Sequence, residues 1–208
     1  MDIREEIKSI AIRYRKKLDL KLQTRMEEMK KDDNSHHLIY RVLGISVDEG
    51  EKIDVYQNKG RFLYKYAGSF LEEVVLLCFR QKYPNARKIR IENTISVRPK
   101  HFEIDCLINQ EAIEIKWRDA TTDGDHITKE HTRLKAIKAH GFCPIRLMFY
   151  KPNREQAIKI QDVLKTTYKG LEGLYFCAEE AWNYVEDRTK INLLKILEDL
   201  AEGTECHL

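Results

Sequence analysis

The part of this chain that most restricts its fold runs from Phe102 to Trp117. Apolar and polar side chains alternate there through two short segments, which are separated by Asn109-Gln110. A period of two is typical of β-strands with two unlike faces. The pattern therefore predicts a pair of antiparallel strands joined at Asn109-Gln110.

The expected hairpin brings acidic and basic side chains together. If Asn109-Gln110 is a two-residue turn, Asp105 lies directly opposite Glu114, and Glu103 lies directly opposite Lys116. Opposed residues of an antiparallel pair have Cβ atoms ~5 Å apart. Two carboxylates at that separation both reach one Mg²⁺, whose oxygen ligands lie at about 2.1 Å. The hairpin thus predicts a metal site with a lysine beside it.

The alternative is a solvent-exposed strand face that carries an ordinary group of charges. Ile113 and Ile115 bury the other face, however, and like charges directly opposite each other destabilise a sheet unless something neutralises them. A bound cation would do so. This argument favours the metal site, and with it a metal-dependent nuclease.

Length and composition suit one domain with a terminal appendage in a chain of 208 residues. The charged N-terminus predicts no secretory signal, and no apolar run approaches membrane-spanning length. The five cysteines contain no Cys-x-x-Cys pair, which argues against structural zinc and for reduced thiols in a cytoplasmic protein. A net charge of +3 does not by itself identify a nucleic-acid partner.

The local distribution of charge is more informative about a nucleic-acid partner than the net charge, because residues 80–100 form a basic block. The block contains Arg80, Lys82, Arg87, Lys88, Arg90, Arg98 and Lys100 against the single acid Glu92. A surface that binds a polyanion needs positive charge around it, while a metal site needs negative charge within it. A solvated strand and loop explain the block equally well when it is considered alone.

Hydrophobic periodicity predicts the order of the elements. Helices are expected at residues 2–31, 36–43, 60–82, 125–140, 153–168 and in most of 178–202, with an irregular polar segment at 45–60. Strands are expected at 87–97, at the two arms of the hairpin, at 144–150 and at 174–177. Asp125 and Asn153 are the expected N-caps of their helices.

This order predicts an α/β fold with a mixed central sheet. The first three strands form an antiparallel meander, and a helical crossover places the next strand parallel to the strand of Glu114. Helices flank the sheet. Residues 1–59 are expected to form a helical N-terminal extension for dimerisation or DNA contact, and residues 60–208 the core with its C-terminal helices.

Both the order and the motif resemble the core of the PD-(D/E)xK nuclease superfamily over residues 60–150. That family carries its Asp on the second strand and Glu-x-Lys on the third, which Asp105 and Glu114-Ile115-Lys116 match. Ile104 replaces the Pro of the family's name, a departure that costs little because that Pro is often absent. Residues 114–133, followed by the strand at 144–150, resemble the ApaLI-like type II restriction endonucleases, a resemblance that covers nearly the whole chain.

The resemblance implies a cytoplasmic prokaryotic enzyme, dimeric, that cuts double-stranded DNA at a short palindromic site and leaves 5′-phosphate ends. Mg²⁺ is the expected cofactor, with Mn²⁺ able to substitute. Asp105, Glu114 and the main-chain carbonyl of Ile115 are the expected metal ligands. Lys116 is expected to orient the attacking water or to stabilise the transition state.

A further acid is expected on the first core helix, where many superfamily members carry a catalytic-site Glu. Glu72 and Glu73 both qualify, and this helix is apolar around so much of its circumference that spacing does not decide between them. Exposure of both is the alternative. Glu72 is the prediction.

The residues expected to contact DNA are Arg98 and Lys100 from the basic block, Arg118, Thr121 and Thr122 from the loop after the hairpin, and Lys129 and Arg133 from one face of the next helix. A hydrogen-bonded connector explains that loop at least as well. His126 and His131 are not assigned to the metal site.

Three classes of function follow from these patterns. The first is a site-specific endonuclease, the second a structure-specific or repair nuclease of the same superfamily, and the third a catalytically silent DNA-binding module. The apolar stripe of residues 2–31 packs either on the core or against a second copy. A palindromic target matches a two-fold dimer, which favours the second copy.

Overall fold

The computed structural model describes residues 2–118 and 125–203. Its helices are α1 (Ile3–Met29), α2 (His37–Val42), α3 (Val47–Lys82), α4 (Asp125–Ala139), α5 (Glu155–Gly170), α6 (Glu179–Thr189) and α7 (Leu193–Glu202). Its strands are β1 (Arg87–Glu92), β2 (His101–Ile108), β3 (Glu111–Lys116), β4 (Cys143–Met148) and β5 (Leu174–Cys177). No helix among these residues is long and apolar enough to cross a membrane.

The chain divides into two compact units, residues 1–70 and residues 71–208. Helix α3 contributes to both. The boundary expected between residues 59 and 60 falls inside α3, so the assignment of residues 1–59 as an extension stays a prediction.

The five strands form one sheet in the order β1-β2-β3-β4-β5. The pairs β1–β2 and β2–β3 are antiparallel, while β3–β4 and β4–β5 are parallel. The expected meander followed by parallel crossover strands is therefore confirmed, as is the α/β class. Strand β3 lies in the middle of the sheet, so its side chains have little access to solvent.

The hairpin between β2 and β3 has the expected register close to its turn. Cys106 pairs with Ile113, Leu107 with Ala112 and Ile108 with Glu111. Asn109 follows with a φ of 53°, in the left-handed region that asparagine tolerates better than most residues. The turn at Asn109-Gln110 is therefore confirmed.

A β-bulge changes the far part of β2. Arg87 of β1 pairs with Leu107, but Ile89 pairs with Ile104, so two residues of β2 face Lys88 alone. The extra residue shifts the alternation of β2, and Ile104 consequently packs in one apolar cluster with Leu107. A simple two-face strand was the expectation, and the bulge corrects it.

The ladder between β2 and β3 ends at Cys106 and Ile113, so the two pairs expected beyond it, Asp105 with Glu114 and Glu103 with Lys116, are not part of the regular pairing. Glu103 lies opposite Arg90 of β1, and its carboxylate contacts Lys88 Nζ at 2.8 Å. The ion partner of Lys116 is instead Glu114. The ion partner of the Glu103 carboxylate is therefore Lys88 of β1 and not Lys116 of β3.

Two apolar clusters hold the larger unit together. One joins β1, β2 and β3 to the Ala136 and Ile137 side of α4. The other joins α4 and α5 to β4 and β5 around Leu134, Leu164 and Tyr168. Helix α4 enters both clusters, so its position over β3 is fixed on two sides.

The segment expected to be irregular at residues 45–60 is helical from Val47. Ser46 Oγ accepts a hydrogen bond from the Glu49 N–H, and acidic residues in the first turn suit the positive end of the helix. Gly50 lies inside this helix for a packing reason. A Cβ at this position would lie 2.8 Å from a ring carbon of Tyr40.

Two other expected boundaries were wrong. Strand β1 ends at Glu92, because Asn93 starts a turn in which its side chain accepts hydrogen bonds from the Ile95 and Ser96 N–H groups. The N-cap of α5 is Arg154 and not Asn153. Asn153 accepts a hydrogen bond from Arg118 instead.

Candidate active site

Two carboxyl groups are buried where β2 and β3 leave their regular pairing. Asp105 of β2 is 6% exposed, and Glu114 of β3 is 3% exposed. Asp105 lies in the bulge, and its Oδ2 accepts a hydrogen bond of 2.9 Å from the Ile115 N–H. This bond fixes Asp105 beside the strand that carries Glu114 and Lys116.

Two cations neutralise Glu114. Arg133 Nη1 of α4 donates a hydrogen bond of 2.6 Å to Glu114 Oε1, and Lys116 Nζ forms an ion pair with the same oxygen. Burial opposes ionisation of Glu114, but the charges of Arg133 and Lys116 outweigh it and lower the pKa of this carboxyl. Glu114 is therefore ionised at neutral pH.

Asp105 behaves in the opposite way. Burial raises its pKa, the charge of Glu114 raises it further, and Lys116 compensates only in part, so that the pKa of Asp105 is about 8. Lys88 Nζ lies 3.9 Å from Asp105 Oδ1, which is at the limit of an ion pair. Without a further cation, Asp105 is largely protonated at neutral pH.

Lys88 connects Asp105 to two other acids. Its Nζ lies 2.8 Å from Glu103 Oε1 and 3.5 Å from Glu72 Oε2. Glu72 comes from the part of α3 that belongs to the larger unit, and its charge contributes to the raised pKa of Asp105. Glu72 therefore lies near Asp105, with Lys88 between them. Glu73, on the same helix, is half-buried.

Lys116 keeps its charge at this site. Burial alone would lower the pKa of its ammonium group, but Glu114 and Asp105 outweigh burial and raise it. The side chain of Lys116 is 30% exposed, so its charged end is within reach of solvent. It is thus a permanent cation beside one ionised and one protonated carboxyl.

A second buried acid fixes the position of Arg133. Glu130 Oε1 accepts hydrogen bonds from Arg146 Nη1 at 3.1 Å and from the Tyr168 hydroxyl at 2.8 Å. Glu130 Oε2 lies 3.8 Å from Arg133 Nη1. Because these residues come from α4, β4 and α5, the network ties three elements together and holds Arg133 against Glu114.

The residues expected to contact DNA have different surroundings. Arg98, Lys100, Arg118 and Lys129 are exposed, and Thr121 and Thr122 lie outside the described residues. Arg133 is only 15% exposed, because its guanidinium binds Glu114 and also donates to the main-chain carbonyl of Glu103. Of the described residues expected to contact DNA, Arg133 thus lies against Glu114, and the others lie on the surface.

Sequence reasoning missed Lys88, Glu130 and Arg146 as members of the site. Arg146 offered a signal, because it is one charged residue inside the apolar segment Pro144–Phe149 and so needs a buried partner. Glu130, three residues before Arg133 on α4, was a candidate for that partner. Lys88 gave no comparable signal, since it lies within a long basic block.

The donor set fits a hard divalent cation. Mg²⁺ prefers carboxylate and carbonyl oxygens, which Asp105, Glu114 and the Ile115 carbonyl offer. The raised pKa of Asp105 is the observation that supports the fit, because a cation beside this buried carboxyl would stabilise its ionised form. The acids are not drawn together tightly: within the described residues, three ligand atoms lie within 4.8 Å of one another only at His36, His37 and Asp54, in the other unit.

Comparison with known proteins gives one finding. A family model described as ApaLI-like restriction endonuclease matches residues 1–202. No curated protein and no solved structure matches the chain. The match includes all described acids and bases of the site.

We expect Asp105→Asn to stabilise the protein at high pH when metal is chelated. An unfolded Asp loses its proton near pH 4, whereas folded Asp105 keeps it to about pH 8, so the wild-type protein loses stability as the pH rises through this window. Asn keeps the acceptor for the Ile115 N–H but does not titrate. At pH 8.5 in EDTA, the variant should unfold about 4–8 °C higher than the wild type, an advantage of about 2 kcal/mol or more.

Thermal unfolding at pH 5.5 and 8.5 measures this difference, with the exposed Asp162→Asn as the matched control. The control should follow the wild type at both pH values. Equal pH dependence of the wild type and Asp105→Asn would contradict the raised pKa.

We expect Arg133→Gln to destabilise the protein, because it leaves buried Glu114 with Lys116 as its remaining cation. Removing one partner of a buried ion pair costs about 3 kcal/mol or more, which corresponds to about 6–12 °C in a chain of this size. Lys129→Gln, on the exposed side of the same helix, should change stability by no more than about 0.5 kcal/mol. Chemical denaturation measures both, and equal midpoints would argue against a structural role for Arg133.

Proposed function

The chain belongs to the ApaLI-like restriction endonuclease family, and on this premise we propose that it is a type II enzyme that hydrolyses double-stranded DNA at a short palindromic site. Family membership implies a hydrolase that binds and cuts DNA. The specificity for a palindrome, the metal and the chemistry of the ends are part of the proposal.

One observation carries the proposal. Two buried carboxyls on neighbouring strands, Asp105 and Glu114, lie beside a lysine that keeps its charge, Lys116. The pKa values of the two carboxyls are shifted in opposite directions: that of Glu114 is lowered, so it is ionised, and that of Asp105 is raised, so it is largely protonated. Buried acids with strongly shifted pKa values beside a charged partner are concentrated at functional sites.

Asp105, Glu114 and the main-chain carbonyl of Ile115 would hold Mg²⁺, and Mn²⁺ would substitute because it accepts the same oxygen ligands. The bound ion would lower the pKa of a water molecule and stabilise the negative charge that grows on the scissile phosphate. Ion binding requires that Asp105 lose its proton. Activity should therefore fall in acid solution, where protons compete with the metal for this carboxyl.

Three further residues would assist the reaction: Lys116, Arg133 and Glu72. Lys116 would orient the attacking water or stabilise the extra negative charge of the transition state, because its ammonium is both charged and accessible. Arg133 would hold Glu114 in place. Glu72, linked to Asp105 through Lys88, would be the additional acid of the site.

DNA would be bound by the exposed basic residues. Arg98, Lys100 and Lys129 are suited to phosphate contacts, and Arg118, Thr121 and Thr122 to contacts with base edges. Arg133, whose guanidinium binds Glu114, would support cleavage by holding this carboxylate in place. Hydrolysis at the phosphate would leave a 5′-phosphate and a 3′-hydroxyl.

We expect the protein to cut plasmid DNA into discrete fragments in the presence of Mg²⁺. Lys116→Ala and Asp105→Asn should each slow cleavage by at least about 100-fold, because each removes a group that acts on the scissile phosphate or holds the ion. Lys159→Ala, an exposed residue of α5, is the control and should cut at the wild-type rate. Gel electrophoresis of the products, with circular dichroism of each variant, measures both effects.

A smear of products in place of discrete fragments would favour a nuclease without sequence specificity. Absence of cleavage by the folded wild-type protein with either Mg²⁺ or Mn²⁺ would overturn the enzymatic proposal.

A dimer would match a palindromic target, and the unit of residues 1–70 has a suitable surface. Helix α2 and the residue after it expose four large apolar side chains, each more than half exposed: Leu38, Ile39, Val42 and Leu43. Exposed apolar patches of this kind often mark an interface. We therefore place the proposed dimer contact in this unit.

We expect the double variant Val42→Glu, Leu43→Glu to be monomeric at concentrations where the wild type is a dimer, since two buried carboxylates would oppose association. Val163→Glu, which changes an exposed apolar residue of α5, should leave association unaffected. Sedimentation velocity measures the species. A monomeric wild type, both free and bound to its DNA, would contradict the dimer.

A further inference from the structure

A second polar cluster lies far along the sequence from the acid pair, within the unit of residues 1–70. His36 Nε2 lies 2.9 Å from Asp54 Oδ2, and His37 Nε2 lies 3.1 Å from the same oxygen. The two imidazoles come from the start of α2, and the carboxylate comes from α3. Two rings thus direct the same type of nitrogen at one carboxylate oxygen.

The spacing of these atoms is close to that of a metal coordination shell. Zn²⁺ binds nitrogen and oxygen ligands at about 2.0–2.1 Å with tetrahedral geometry, so its ligand atoms lie about 3.3 Å from one another. The distances to Asp54 Oδ2 are within about half an ångström of this value. A small outward movement of His36 and His37 would admit the ion.

The surrounding residues hold the cluster in this arrangement. The Tyr40 hydroxyl donates a hydrogen bond of 2.8 Å to Asp54 Oδ1, which leaves Oδ2 facing the imidazoles. The ring of Tyr40 stacks on that of His37, with centroids 5.1 Å apart. Gly50 permits this close packing, because a Cβ there would meet the Tyr40 ring. Orientation by such outer contacts is typical of metal sites.

Hydrogen bonding within the cluster leaves one group unsatisfied. His37 is 3% exposed, and its buried Nδ1 has no hydrogen-bond partner among the described residues. The side chain of His36, by contrast, is 45% exposed, so one side of the cluster is open to an ion and to a water ligand. A cavity of about 280 Å³ lined in part by Asn34, Glu51 and Asp54 also reaches the carboxylate.

We propose that His36, His37 and Asp54 bind one Zn²⁺ ion, separate from the metal of the acid pair. Two imidazoles and one carboxylate suit a borderline metal such as Zn²⁺ and disfavour Mg²⁺, which prefers oxygen ligands. The spacing of the cysteines disfavours structural zinc on thiolates, but this cluster contains no cysteine. The ion would fasten the start of α2 to α3 and so stabilise the apolar surface that α2 exposes.

The test uses the full-length protein, freed of metal with a chelator and dialysed. Titration calorimetry with ZnCl₂ should give one strong site per chain, and MgCl₂ should not compete for it. His36→Ala and Asp54→Asn should each weaken Zn²⁺ binding by at least about 100-fold, more than the loss of an outer contact causes. Tyr40→Phe should weaken it less, and His101→Ala, an exposed histidine of β2, should not change it.

Two further measurements distinguish Zn²⁺ binding at this cluster from binding at other residues. Asp105→Asn should keep full Zn²⁺ affinity, so failure of the proposed nuclease site and failure of this proposal have different signatures. Co²⁺ in place of Zn²⁺ should give the visible absorption of a tetrahedral ion without thiolate charge-transfer bands. Circular dichroism checks that each variant is folded, and His36→Ala should fold because the side chain of His36 is 45% exposed.

Three results would overturn the proposal: no stoichiometric binding of Zn²⁺ by the wild-type protein, unchanged binding in folded His36→Ala, or a thiolate charge-transfer band with Co²⁺. The last result would place the ion on a cysteine.

Discussion

The ion pair between Arg133 and Glu114 is the interaction on which the larger unit depends most. It joins a helix to the central strand of the sheet at a place where Glu114 is buried and Arg133 is only 15% exposed. Glu130, with Arg146 and Tyr168, supports it from the other side, so α4 is held by charge as well as by its two apolar clusters. Buried charges are costly unless every member has a partner, and a network of this kind therefore permits few alternative arrangements of α4 over the sheet.

The same network explains why two neighbouring carboxyls differ so much. Glu114 receives the charges of Arg133 and Lys116 and stays ionised, whereas Asp105 receives only partial compensation from Lys116 and a hydrogen bond from a backbone N–H. A poorly compensated acid, Asp105, therefore lies beside a well-compensated one, Glu114. If a divalent cation binds as proposed, Glu114 would supply a ligand that is already charged and oriented, whereas Asp105 would have to lose its proton first.

Sequence alone predicted those features that depend on neighbouring residues. The alternation from Phe102 to Trp117 and the turn at Asn109-Gln110 are local, so the strands and their register near the turn followed from the pattern. The bulge did not, because it is defined by the pairing of β2 with β1, across from Lys88. The partner of Arg133 was also beyond local reasoning, since helical spacing shows which residues share a face but not which face lies over the sheet. The start of α3 was missed because residues 45–60 are polar, and the packing of Gly50 against Tyr40 is a contact with α2 that the local pattern does not show.

The bulge in β2 has a consequence for how this chain tolerates change in length. Deleting one residue at the bulge would restore unbroken alternation, and the apolar side chains on both sides of it would then fall on one face without any irregularity. Such a chain would keep its core and gain a more regular ladder, but it would no longer turn Asp105 toward the Ile115 N–H. The extra residue therefore gives up one regular position of the ladder and directs Asp105 toward β3.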